Sequence, residues 1–563
     1  MKLKQLLFIT SIILFGTGFS YTAFSQTTER VVYFKDKNGT TFSTSRPLEF
    51  LTQKSIDRRN KQGISITEQD LPVNTDYISQ INNLGASVSH ALKWFNAAIV
   101  TADETTFIEI ENLSFVDKID RVAINLDTNR VARISATCDI NTEDDICPEF
   151  EVNKILKTNK NQEDFDYGSS LAQIQMLGVD KMHQQGYLGQ GIHIAVLDGG
   201  FINANTLSAF SHADIAFVYD VVENGQNVYQ ASSHGTKVLS AMLSKKEGEI
   251  IGTAPEATYY LFRTEDVSKE FPIEEAFWAV GAEKADSLGV DILQTSLGYS
   301  DFDNSDYDYT HDDLDGNTAM ISQAAEFATQ KGIVVVTSAG NSGNSAWQKI
   351  SFPADAPSVL AVGAVDSNEE IGNFSSIGNT ADGRVKPDIM AMGVGTTLWS
   401  EQNQLTSGNG TSYAAPLIAG LVAGFMQKNP NLTQKEVMFA MRRAGDNYST
   451  PNEQYGYGIP NFDRLTQIEL ILGQEEDLTN KDAQIRIFPN PVASILHIEI
   501  DEKLFITNET LNLQIYNLQG QLILEEILNT DKKDIDFPAV SKGIYIVHIE
   551  GQNYQGTIKI LKE

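Results

Sequence analysis

Ile192-His193-Ile194-Ala195-Val196-Leu197-Asp198-Gly199-Gly200 decides the fold. Five of the six residues before Asp198 are apolar. That suits a strand buried on both faces, as in a parallel sheet. A carboxylate at the carboxyl end of such a strand, followed by glycines, lies where open α/β sheets keep their sites. Gly332-Ile333-Val334-Val335-Val336-Thr337 has the same texture and runs into Ser338-Ala339-Gly340-Asn341-Ser342-Gly343. An α/β fold with a mostly parallel sheet is expected.

Two further segments carry chemistry. Ser232-Ser233-His234-Gly235-Thr236 precedes a helical pattern, so the His234 ring can face a cleft. Gly410-Thr411-Ser412-Tyr413-Ala414-Ala415-Pro416 leads into the apolar run Leu417 to Met426, which reads as a buried helix. Gly410 permits a tight turn, and Ser412 sits where a helix N-terminus offers free N–H groups and a positive dipole end. A serine hydroxyl is a weak nucleophile until an imidazole takes its proton. The imidazole needs a carboxylate to fix its tautomer and stabilise its cation. An acyl intermediate also needs hydrogen-bond donors for its oxyanion. The Asn341 amide and the Ser412 N–H are the candidates. Taken singly, each residue is as well read as a turn or cap. Together and in order they form a nucleophile, a base, an acid and an oxyanion donor.

The order Asp, His, Ser is one of the known triad orders. These four segments resemble those of the subtilisin-like serine proteases, the subtilases. The resemblance implies that Asp198 is the triad acid, His234 the base, Ser412 the nucleophile and Asn341 the oxyanion donor. Ser296-Leu297-Gly298 resembles the segment lining the substrate groove. Phe374-Ser375-Ser376 and Asp382-Gly383-Arg384-Val385-Lys386-Pro387-Asp388 resemble the stretch leading to the nucleophile. Gly456-Tyr457-Gly458-Ile459-Pro460-Asn461 resembles the close of the domain. The likeness spans residues 167–470 and implies a three-layer peptidase domain acting on proteins or peptides. Small residues at Ser296, Gly298, Ala339 and Gly340 leave room beside the scissile bond, which suits an apolar side chain. One departure is Gly199, where many members carry a serine or threonine whose hydroxyl helps hold the acid. A ligand-binding relative without activity and a hydrolase of non-peptide esters share the same residues and stay open.

The ends of the chain bear on location. Met1-Lys2-Leu3-Lys4, the apolar stretch Leu6 to Phe19 and Ala23-Phe24-Ser25 read as a signal peptide over residues 1–25. Cys138 and Cys147 are the only cysteines. In an exported chain they are expected to form one small disulfide, and two cysteines alone make no metal site.

Residues 26–127 read as a compact α+β unit. Its expected pieces are strands at Val31 to Phe34, Ala97 to Val100 and Phe115-Val116, and a basic helix from Lys54 to Gln62. Its position resembles a subtilase prodomain, which implies a folding aid that then inhibits the enzyme. Residues 128–166 are polar and are expected to hold the maturation cut. After a charged linker at 471–483, residues 484–563 alternate with period two, as in Ile495 to Ile500, Leu511 to Asn517 and Ile544 to Ile549. An all-β sandwich is expected, with a hairpin turn at Asn517 to Gln521. Pro489-Asn490-Pro491, Tyr516 to Gly520, Gly543-Ile544-Tyr545 and the basic end resemble the sorting domain of the type IX secretion system. That implies the outer-membrane secretion machinery as a partner and a secreted or surface location on a Gram-negative cell.

The formal charge is −32, from 42 basic and 74 acidic residues. So acidic a chain repels nucleic acid and anionic membrane, and a monomer is expected. No cofactor is needed for the chemistry. Structural calcium, which subtilases often carry, is considered at Asp301-Phe302-Asp303-Asn304-Ser305-Asp306-Tyr307-Asp308 with Asp312, Asp313 and Asp315. That run lacks the spacing of a helix–loop–helix calcium loop, and a solvated acidic insertion is the reading preferred. His311 within it reads as a surface residue.

Overall fold

The computed structural model describes residues 27–122, 165–473 and 485–562, less 489–491, 501–509, 518–519, 542 and 552–554. The expected signal peptide, the Cys138–Cys147 disulfide, the maturation cut, the linker core at 474–483 and Pro489-Asn490-Pro491 lie outside the described residues.

The central sheet has seven strands in the order Ile389–Met392, Leu360–Val365, Val334–Ser338, Ile292–Thr295, His193–Asp198, Thr258–Arg263, Asp214–Asp220. Every neighbouring pair is parallel. His193–Asp198 is central because its side chains are apolar on both sides. Ile194 and Val196 enter one core with the helices His234–Leu243 and Thr411–Lys428. Ala195 and Leu197 enter the other with Ile273–Leu288 and Met320–Gln330. Three layers result, as expected. Fully burying each such Leu, Ile or Val side chain is worth roughly 1.5–3 kcal/mol. The chain places its first three strands on one side of the sheet and then crosses back over His193–Asp198 to Ile292–Thr295. The resulting crevice opens at the carboxyl ends of these two strands, where ligands bind in such sheets.

The N-terminal unit is a four-stranded antiparallel sheet in the order Ser87–Leu92, Ala97–Ala102, Thr28–Phe34, Val116–Arg121. The sequence reading omitted Ser87–Leu92 and the helices Thr75–Asn83 and Glu104–Glu111. Alternation splits its strands between two cores. Val32, Ala98 and Val100 pack with Ile81, Phe107 and Ile110 of its own helices. Val31, Ala97 and Ile99 pack with Phe277 and Trp278 of the central unit. The unit is therefore docked through the other face of its sheet. The basic helix, Gln53–Lys61, is capped by Thr52, whose hydroxyl accepts from Ser55 N.

The C-terminal unit pairs a three-stranded sheet (Ile485–Phe488, Ile495–Ile500, Lys532–Asp536) with a four-stranded one (Leu522–Leu528, Leu511–Asn517, Gly543–Glu550, Gln555–Lys562). Ile498, Leu513, Ile515 and Val547 fill the space between them. The expected hairpin turn closes with Asn517 N donating to Gln521 O at 3.0 Å. Among the described residues no helix is long and apolar enough to cross a membrane.

Candidate active site

Asp198 ends its strand fully buried. Gly199 N donates to its Oδ1 at 2.8 Å. The backbone thus supplies a hydrogen bond to the acid without any hydroxyl at position 199. His234 opens its helix and places Nδ1 2.9 Å from Asp198 Oδ1 and 3.0 Å from Oδ2. A carboxylate on Nδ1 favours the tautomer that carries its proton there and none on Nε2. Gly235 makes this approach possible. A Cβ there would lie 2.5 Å from Gly200 O and 2.9 Å from Asp198 Cβ.

Ser412 is the second residue of Thr411–Lys428 and is 4% exposed. Its N–H therefore falls among the first four of a helix, which have no intrahelical acceptor. The preceding Gly410 has φ +155° and ψ 146°, a region populated almost only by glycine. The His234 ring lies 6.0 Å from the Tyr413 ring, which brings the imidazole beside the nucleophile's neighbour. Ser412 Oγ donates to Ser296 O at 3.3 Å. Pro416 lacks the N–H that would bond to the Ser412 carbonyl four residues back. Ser296 Oγ fills that place, donating to Ser412 O at 2.8 Å. Gln294 Nε2 donates in turn to Ser296 Oγ at 2.7 Å. Ser296 thus fixes the Ser412 backbone while it lines the cleft.

Asn341 follows the strand Val334–Ser338. Its Oδ1 accepts from Thr411 N at 2.9 Å and from Thr411 Oγ1 at 3.0 Å. With the oxygen held, Nδ2 is the end left to donate, and it sits at the start of the nucleophile helix.

An open cleft of about 500 Å³ is lined by Ser412, Asn341, Gly340, Ser296, Leu297 and Gly298, with Ser351 among the others. Gly298 and Gly340 lack a Cβ where Ser351 Oγ approaches, at 2.2 and 2.9 Å from the positions a Cβ would take. Ala339 is a correction. It is fully buried, its N–H donates to Val362 O at 2.9 Å, and its carbonyl accepts from Ser351 N at 3.0 Å. It packs in the core and does not line the cleft, because the strand Leu360–Val365 and Ser351 claim its backbone.

The same cleft shows Glu265 and Glu270 on its wall, which the sequence reading did not single out. The available signal was Glu265 following the apolar strand Thr258–Arg263 after a single threonine, much as Asp198 ends its own strand.

In the Asp301–Asp315 run several carboxylate oxygens already accept hydrogen bonds. Asp303 Oδ2 accepts from Glu270 N, Asp308 Oδ1 from Phe302 N, and Asp313 Oδ2 from Thr310 N and Oγ1. Asp315 accepts from Asn317 N and Thr318 N. Asp308, Asp313 and Asp315 hold their own loop, and Asp303 ties it to the loop that carries Glu270. Among the described residues the acidic groups that converge are Glu265, Glu270 and Glu274. His311 is exposed, with Nε2 2.9 Å from Trp347 O.

The family profile described as "Subtilase family" matches residues 189–458. "Peptidase S8 propeptide domain, Bacteroidota" matches 29–136, and "Secretion system C-terminal sorting domain" matches 486–563. Subtilisin DY of Bacillus licheniformis is 32% identical over 299 residues, 52% of this chain and 97% of that protein. The subtilisin of Bacillus pumilus is 31% identical over 306 residues, 52% of this chain and 98% of that protein. Subtilisin NAT of Bacillus subtilis subsp. natto is 29% identical over 399 residues, 69% of this chain and 85% of that protein. The docked N-terminal unit is thus a propeptide, and the terminal sandwich marks a secreted or cell-surface protein. With its parallel sheet and its buried Asp198–His234 pair, this chain belongs to the subtilase family and is a serine endopeptidase made as a propeptide-bearing precursor.

Proposed function

We propose that Asp198, His234 and Ser412 hydrolyse peptide bonds through an acyl-enzyme, with Asn341 and the Ser412 N–H holding the oxyanion. His234 Nε2 takes the Ser412 Oγ proton as Oγ bonds to the peptide carbonyl carbon. Asp198 holds the ring and stabilises its cation. The carbonyl oxygen takes the negative charge, beside the Asn341 Nδ2 and Ser412 N–H donors. His234 then passes its proton to the departing amine. Water, deprotonated by His234, releases the acyl group and restores Ser412.

The observation that carries this reading is the Asp198 carboxylate, with both oxygens within 3.0 Å of His234 Nδ1. Every group comes from one chain, which supports action as a monomer. The reaction needs no cofactor, and any calcium would serve stability alone. The charge of −32 supports protein substrates over nucleic acid. We place the precursor's divisions at 1–25, 26–127, 128–166, 167–470, 471–483 and 484–563. The signal peptide takes it to the periplasm, the type IX machinery takes it across the outer membrane of a Gram-negative cell, and cutting within 128–166 releases the propeptide.

Fluorophosphonate labelling of propeptide-free enzyme tests the chemistry. Wild type labels and digests casein, while Ser412→Ala does neither. Asn341→Ala lowers kcat by roughly 10²–10³-fold, the cost of one oxyanion donor. A folded, propeptide-free wild type that fails to label refutes the proposal.

A further inference from the structure

Part of the cleft wall is acidic. Glu265 and Glu270 belong to the loop after Thr258–Arg263, and Glu274 lies in the first turn of Ile273–Leu288. One carboxylate oxygen from each lies within 4.8 Å of the other two. Glu274 is committed to structure, since its oxygens accept from Asp266 N at 2.8 Å and Phe271 N at 3.2 Å. Glu265 is 7% exposed and accepts the Tyr299 hydroxyl. Among the described residues, the Glu270 carboxylate accepts no hydrogen bond and meets no cation. Its backbone is pinned, with Glu270 N donating to Asp303 Oδ2 at 3.2 Å and Asp303 N donating to Glu270 O at 3.0 Å. It is therefore held at the cleft, where it lines the same space as Ser412.

The surrounding charges do not neutralise this wall. Asp198, Asp266, Asp301 and Asp303 add negative potential, and the one lysine in the loop, Lys269, pairs with Asp266 at 3.2 Å. His234 is the cation-forming group acting on Glu265. Burial, with the neighbouring carboxylates, pushes Glu265 up to about 8 and Glu270 up to about 9. A cation seated between them reverses that shift and releases protons, so its binding strengthens as pH rises.

The fold also says which part of a substrate passes here. The propeptide's Val122 carbonyl accepts from Ile273 N at 3.1 Å, next to Glu274. The last described propeptide residue therefore lies beside this wall, on the N-terminal side of the cut expected within 128–166. We propose that Glu265 and Glu270 select substrates carrying a lysine or arginine within the four residues before the cut, its cation seated in the cleft wall between them. This rests on the reading of Ser412 as the nucleophile. It adds a cationic determinant to a cleft otherwise lined by small and polar residues.

The test uses propeptide-free enzyme and fluorogenic peptides. Lysine, arginine, norleucine and glutamine are placed in turn at each of four positions before the cut. Fluorophosphonate labelling counts active sites in every sample. At one position, kcat/KM for the basic peptides exceeds that for norleucine by about tenfold or more, as expected for a desolvated charge pair. The ratio is larger at pH 8.5 than at pH 6, and it collapses toward unity in Glu270→Gln and Glu265→Gln. An enzyme that labels but shows no basic preference at any position overturns this inference alone. A preference unchanged in both variants overturns it too. So does tight calcium binding that Glu270→Gln abolishes, since an ion then occupies the seat. A wild type that does not label overturns the nucleophile reading and this inference with it.

Discussion

Replacing Asp286 by asparagine should release the propeptide. Asp286 lies in the last turn of Ile273–Leu288 and is fully buried beneath the propeptide. Its Oδ1 accepts from Arg58 Nη2 at 2.5 Å and its Oδ2 from Arg59 Nη2 at 2.9 Å, with Lys93 Nζ at 3.3 Å. All three cations belong to the propeptide. Burial alone would raise this carboxyl, yet Lys93, Arg59 and Arg58 hold it far below the usual range. Asparagine keeps the shape and one acceptor but removes the charge, so three buried cations lose their shared anion. Breaking a buried pair from one side costs about 3–5 kcal/mol. Arg59 keeps Asp70 at 3.1 Å, and Arg58 keeps the carbonyls of Val290 and Lys331, so the low end applies. About 3 kcal/mol is roughly a hundredfold in affinity. The assay is inhibition of the mature enzyme by its propeptide added in trans, read from peptide hydrolysis at pH 7 in 0.15 M salt. In the mature enzyme no propeptide covers Asp286, so kcat/KM without propeptide should hold steady. A rise in the inhibition constant of under threefold, with the fold intact, would refute the reasoning.

Gly235→Ala drives a methyl group into Gly200 O and the Asp198 side chain. Displacing the imidazole by about 1 Å should slow fluorophosphonate labelling roughly 10²-fold, while the far-ultraviolet circular dichroism stays that of the wild type. A second expectation concerns pH. Burial raises Asp355 to about 6, Glu275 to about 7, Glu265 to about 8 and Glu270 to about 9. A carboxyl raised in the folded state favours folding fully below its unfolded value, and that contribution is lost as pH rises through the folded value. The thermal midpoint of Ser412→Ala precursor should therefore fall from pH 5 to pH 9 at constant ionic strength. Glu275→Gln should flatten the part between pH 5 and about pH 7. A midpoint that rises over this range would contradict the assignment.

What could be read in the chain was local. The apolar run before Asp198, the helix entries at His234 and Ser412, and the glycine-flanked Asn341 each depend on neighbours a few residues away. Periodicity, caps and turns encode such features directly. The fold class was legible for that reason, as were the four residues proposed to react and the alternation behind the terminal sandwich. Gly235 and Gly410 were visible as glycines, but only the approach of Gly200 to Gly235 shows why one is required.

The tertiary structure decided what depends on distant segments meeting. Asp286 finds Arg58 and Arg59 more than 200 positions earlier in the chain, and no local pattern pairs them. Ala339 looked like a groove residue because it is small and adjoins Gly340, yet its backbone is claimed by the sheet. The aspartates at 301–315 read as a solvated insertion ahead of a calcium site, and several of them accept backbone N–H groups, one from Glu270 in another loop. The carboxylates that do converge come from a loop and a helix that the chain's crossover places beside Ser412. A sequence states which side chains are present and how each short segment will turn. The order of strands in a parallel sheet is set by long-range packing, and that order chooses which charges face one another across the cleft.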